Sequence, residues 1–171
     1  MKVSDLAPTE FAHFYATYLN VLDDVALMDA LKDGKKWFQD FVNNLPEEKL
    51  SHNYQEGKWT IAEVLLHLID TERVFQYRAF RFSRNDMTPL PGFDQDDFVA
   101  ECESERRNKE SILEEYLSVR NATITLFETM DDTKLKRIGT ASDMPWSVAA
   151  LGLVISGHQK HHTNILLERY L

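Results

Sequence analysis

The chain has 171 residues, 43% hydrophobic and 27% charged, with six glycines, five prolines and a single cysteine. This composition excludes a disordered or all-β chain and fits one helical domain, residues 1–171, with a single substantial core. A formal charge of −9 argues against broad binding to nucleic-acid phosphates, which draws on clustered lysine and arginine.

The first periodic segment runs from about Thr9 to Asn44, with a break expected near Leu22–Asp24 or at Asp33–Gly34. Leu27, Leu31, Phe38, Phe41 and Leu45 recur at helical intervals before Pro46 ends the pattern. A second helix starts at a capping box, Thr60 with Glu63, and a hydrophobic staple, Trp59 with Val64; it should reach about Arg84. Residues 85–97 hold Pro89 and Pro91, so a turn-rich connection follows. A third helix spans roughly Ser104 to Met130 with Leu113, Tyr116, Leu117, Arg120, Ile124, Phe127 and Met130 inward. Its basic run, Arg106, Arg107 and Lys109, lies among glutamates and reads as a solvated face. After a polar run from Gly139 to Asp143, read as irregular, Ser147 caps the last helix, which extends from Val148 to Tyr170. Four long helices without a convincing strand predict a four-helix bundle, and the long connections allow crossover topology.

Histidines interrupt two of these apolar faces. On the last helix Val148, Leu151, Ile155, His158, His162, Ile165 and Arg169 trace one stripe, so His158 and His162 stand one turn apart on the same face. His67, within Leu65-Leu66-His67-Leu68-Ile69, does the same on the second helix. Buried without partners, each imidazole would cost about 1–3 kcal/mol. No acid lies closer on the last helix than Glu168, and a shared divalent cation is the more economical partner. Imidazole ligands suit zinc or nickel first, with iron and manganese as the other candidates. Arg78 and Arg81 continue the His67 side of the second helix and are candidates for binding an anionic substrate, though inward arginines in bundles more often pair with acids. Asp70 is a candidate for a supporting or a surface role. Cys102 cannot form an internal disulfide and lies in an acidic stretch that discourages the thiolate. The first residues carry no apolar signal core, and the longest apolar stretch falls far short of the ~20 residues of a membrane span, so a cytoplasmic, membrane-free protein is expected.

The stretch from Trp59 to Asp70, the Glu72–Phe82 continuation, the Leu90-Pro91-Gly92-Phe93-Asp94 turn and Gly157-His158-Gln159-Lys160-His161-His162 together resemble the DinB-like superfamily, which includes YfiT-like proteins and the bacillithiol and mycothiol S-transferases. The resemblance covers nearly the whole chain. It implies a four-helix bundle of unusual connectivity, commonly a homodimer, with a divalent metal held by His67, His158 and His162. It also implies a small-molecule substrate and a low-molecular-weight thiol as cosubstrate. A metal-dependent thiol S-transferase is the leading expectation, followed by a metal-dependent hydrolase and then by a non-catalytic dimer with a structural or regulatory ion. The outer aromatic residues Phe11, Phe14, Tyr15 and Tyr18 are candidates for the dimer face.

Overall fold

In the computed structural model, which describes residues 1–171, four long helices carry the core: α2 (Leu27–Asn44), α3 (Ile61–Ser83), α5 (Lys109–Glu128) and α7 (Val148–Ile165). Short helices α1 (Ala16–Leu19), α4 (Gln95–Ala100) and α6 (Asp132–Leu135) fill the connections, with a hairpin of β1 (Ile138–Ala141) and β2 (Met144–Ser147) before α7. Each of α2 and α3 packs against both α5 and α7. The helices therefore follow one another around the bundle as α2, α5, α3, α7, and the chain crosses a diagonal between α2 and α3 and again between α5 and α7. None of the helices is long and apolar enough to cross a membrane.

The helix starts follow from capping chemistry. Thr60 Oγ1 accepts from the Glu63 N–H at 3.2 Å while Glu63 Oε2 accepts from the Thr60 N–H at 2.6 Å. Ser147 Oγ accepts from the Ala150 N–H at 3.0 Å and opens α7. Every residue of α7 from Val148 to Gln159 is buried, so this helix is the axis of the fold and not one wall of it.

The first helical segment breaks between Asn20 and Ala26, at the first of the two expected places, and α2 runs unbroken through Gly34. Two features differ from the sequence reading. Helix α5 buries Ile112, Val119 and Thr123 along with Tyr116, Arg120 and Phe127, a stripe rotated from the expected one; Leu113, Leu117 and Ile124 are only partly covered. The polar run before α7 is the two-stranded hairpin. Ser142 and Asp143 both take positive φ, 52° and 58°, as the tight turns that match strand twist require, and Pro145 is tolerated in a sheet with open edges. Leu90 docks on this hairpin: its N–H donates to Thr140 O and its carbonyl accepts from the Ser142 N–H.

One buried polar cluster joins all four long helices. Arg120 of α5 donates to both carboxylate oxygens of Glu72 on α3 at 2.8 Å, to Leu31 O on α2 at 3.0 Å and to Gln159 Oε1 on α7 at 2.6 Å. The amide nitrogen of Gln159 donates to Gly34 O at 2.7 Å, and the Tyr116 hydroxyl donates to Gln159 Oε1 at 3.0 Å. A Cβ on Gly34 would lie 2.8 Å from Arg120 Nη1, so any side chain here would displace the guanidinium. Removing one partner strands a buried charge. Arg120→Met is expected to lower unfolding free energy by about 3–5 kcal/mol, read from urea denaturation; a loss below about 1 kcal/mol would contradict the clamp.

Candidate metal centre

Helix α3 presents His67 and α7 presents His158 and His162 to a single point between them. His67 Nε2 lies 3.0 Å from His158 Nε2, and one donor nitrogen from each of the three rings falls within 4.8 Å of the others. That spread is close to the roughly 4 Å that two metal–nitrogen bonds of about 2.0–2.1 Å can span. His67 and His158 are buried and His162 is half-buried. Burial holds the His67 imidazolium down to about 4 and, joined by repulsion from His67 and His161, that of His162 to about 3. Burial and the three neighbouring histidines hold His158 well below the ordinary range. All three rings are therefore neutral at pH 7, the form that ligates metal.

The surroundings fix these rings. Thr71 Oγ1 lies 3.5 Å from His67 Nδ1, one turn along α3, and the Trp59 ring packs 4.9 Å from the imidazole. On the other side, α1 and α7 touch backbone to side: a Cβ on Gly157 would fall 2.1 Å from Tyr18 O. This approach sets the Tyr18 ring edge-on against His158 and His161, at 5.1 and 5.3 Å. A proton shared between His67 and His158 satisfies that pair and leaves His162 without an acid or acceptor. Three neutral, convergent imidazoles with no carboxylate among them fit a divalent ion of the zinc, nickel or iron kind.

Two cavities reach the histidines from different sides. One, of about 360 Å³, has His158 and Thr71 among its lining groups and is walled by Tyr15, Tyr18, Phe75 and Phe93. The other, of about 300 Å³, reaches His162 past Trp59 and Tyr170. Asp96, on the short helix after the Leu90–Asp94 turn, is the acid that lines both.

The remaining sequence candidates fall elsewhere. Arg78 is buried and does not itself line the first cavity, but Ser142, Phe75 and Phe93, which touch its guanidinium, do. Arg81 is turned away, paired with Asp86 and bonded to the Tyr77 hydroxyl. Asp70 pairs with Arg73 at 3.3 Å on a surface cluster with Glu115, so it has no part in supporting His67. The Cys102 thiol is pushed up by burial. Tyr15 and Tyr18 face the cavity instead of forming an outer face, and Phe14 stands exposed at its mouth. Sequence reasoning gave Trp59 only a staple role and missed the parts of Thr71 and Asp96. Thr71 had a visible signal, its i,i+4 spacing from His67; Asp96 had none, because the turn that returns it to the histidines is not periodic.

A diagonally crossed four-helix bundle with three histidines, two buried and one half-buried, converging from α3 and α7 defines a class of helical metal-site proteins. The chain belongs to the DinB superfamily, whose model matches residues 30–166. A protein of Geobacillus thermodenitrificans named "putative metal-dependent hydrolase" is 30% identical over 128 residues, 71% of this chain and 70% of that one. One of Oceanobacillus iheyensis with the same kind of name is 27% identical over 128 residues, again 71% of this chain and 70% of the relative. YfiT from Bacillus subtilis, described as "a probable metal-dependent hydrolase with an unusual four-helix bundle topology", superposes with a TM-score of 0.70 at 22% identity, over 84% of this chain and 85% of that one. That last likeness is one of fold.

The depressed histidines make metal-free stability depend on pH. Between about pH 6.5 and 4 the unfolded chain takes up a proton at His67 that the folded chain refuses, so folding weakens as pH falls through that window. The loss is about 1.4 kcal/mol per pH unit for each such histidine. Above pH 6.5 these groups contribute no slope. Thermal melts of chelated protein should show Tm falling steeply from pH 6.5 to 4, and less steeply in His67→Gln; equal slopes would contradict the burial of a neutral ring.

Proposed function

We propose that this chain is a divalent-metal-dependent hydrolase whose ion is held by His67, His158 and His162. The observation that carries the reading is the convergence of three neutral imidazoles, two buried and one half-buried, with one cavity reaching His158 and another reaching His162. The names of the two curated relatives support it. When bound, a divalent ion supplies Lewis acidity, lowering the pKa of a water or thiol toward neutrality and polarising a substrate carbonyl.

The chain's own groups do the rest. With its Nε2 directed at the cluster, His67 is left with a proton on Nδ1 to donate to Thr71 Oγ1, which fixes its tautomer and ring plane. Tyr15 and Tyr18 have phenols raised by burial, so both remain protonated donors at pH 7 and can hold a substrate oxygen beside His158. Asp96 accepts the proton of the attacking nucleophile and returns it to the leaving group. The aromatic walls limit water around the reacting atoms.

Thiol transfer is the second reading, and the two separate openings favour it: one cavity for an electrophile, the other for a thiol too large to share it. The zinc-loaded protein should release p-nitrophenol from p-nitrophenyl acetate with water alone, and lose that activity on chelation and in His158→Ala. Release that requires added cysteine would move the assignment to transfer. Turnover with neither, against a panel of esters and amides, would leave the ion a structural or regulatory role. Asp96→Asn should lower kcat by about 10²–10⁴-fold at unchanged metal stoichiometry; wild-type kcat in that variant would remove Asp96 from the chemistry.

A further inference from the structure

The interior holds three fully buried charged side chains: Glu72, Arg78 and Arg120. Glu72 and Arg120 neutralise each other. Arg78, 2% exposed, has no carboxylate within 4.0 Å, and its Nη1 has no hydrogen-bond partner at all. Its Nη2 donates to two neutral acceptors, Pro91 O and Ser142 Oγ, each at 2.9 Å. The Phe75 and Phe93 rings lie 5.4 and 5.8 Å from the guanidinium carbon, a partial compensation by their π faces. A buried charge left without a counter-charge is costly, and chains rarely keep one without a use for it.

Three of the four residues that hold Arg78 in place, Phe75, Phe93 and Ser142, are also walls of the 360 Å³ cavity that reaches His158. We propose that this cavity binds a small carboxylate-bearing ligand, its anionic end paired with Arg78 and its apolar part lying between the aromatic walls. A carboxylate oxygen taking the place of the Ser142 hydroxyl accepts from the same guanidinium, and the freed hydroxyl can donate to the ligand in turn. Asp94 and Asp96 also line this cavity, but both are exposed to water and outside pairing distance of Arg78, so solvent screens their repulsion far more than it weakens the buried guanidinium. With one oxygen on Nη2 in place of the Ser142 hydroxyl and the other on the unpartnered Nη1, a carboxylate satisfies the fork, whereas a phosphate dianion needs several more donors. The proposal goes beyond the hydrolase reading and holds for either reaction, because it concerns binding alone.

Benzoate and its neutral isostere benzamide are the probes, titrated calorimetrically into zinc-loaded and chelated protein. Benzoate should bind at least tenfold more tightly than benzamide in both forms. The preference should fall below threefold in Arg78→Gln and be partly kept in Arg78→Lys, with folding checked by circular dichroism. If Arg78→Gln does not fold, the Arg78 Nε–H resonance of the wild type should move on benzoate saturation and stay fixed with benzamide. A preference that survives Arg78→Gln, one that appears only with zinc, an unmoved Arg78 resonance, or the absence of benzoate binding would each overturn the proposal.

Discussion

The Arg120 guanidinium contacts the other three long helices at once, and the rest of the molecule is arranged around that fact. Its carboxylate partner Glu72 follows Thr71 on α3, and its amide partner Gln159 follows His158 on α7. The clamp therefore adjoins the candidate ligand His158 on α7 and, on α3, Thr71, which contacts the candidate ligand His67. A slip of α3 against α7 that separated His67 from His158 would also pull Glu72 and Gln159 from Arg120. The polar cluster has an energetic reason to fix register: a buried, hydrogen-bonded charge pair tolerates little displacement, whereas apolar side chains repack at small cost.

The same constraint explains why α7 is buried all round. A diagonal connection on either side leaves it facing α2, α3, α1 and the hairpin, so its small residues matter as much as its large ones. At Gly157 the helix accepts the Tyr18 carbonyl, and that contact delivers two tyrosine rings to the cavity above His158. Burial then performs a chemical task. The rings that would be imidazolium in acidic water stay neutral here, and with no carboxylate beside them their lone pairs are left for a cation.

Much of this was legible before any coordinates. Capping chemistry at Thr60 and Ser147 marked the starts of α3 and α7, because a cap is a local event written in three or four residues. The i,i+4 histidines on an apolar stripe and the single histidine on α3 identified the three rings that meet. The hairpin was hidden, since a strand of four residues containing Pro145 has no measurable alternation and its turn uses Ser142 and Asp143 where glycine would have signalled it. The roles of the arginines were hidden for a different reason. Arg78, Arg81 and Arg120 all sit at inward-reading positions; the packing of α3 beside α5 decides that Arg120 meets Glu72 and that Arg78 meets no acid, and the turn just past α3 brings Asp86 to Arg81.

The account stands or falls on the three histidines forming one site for one ion. Elemental analysis of untagged protein, parent beside folded His67→Ala and His158→Ala variants, measures this directly. One divalent ion per chain in the parent, lost from both variants although the substituted residues lie 91 positions apart, is the predicted result. Metal-free parent protein after reconstitution with zinc and with nickel, or full occupancy retained in His67→Ala, would contradict it.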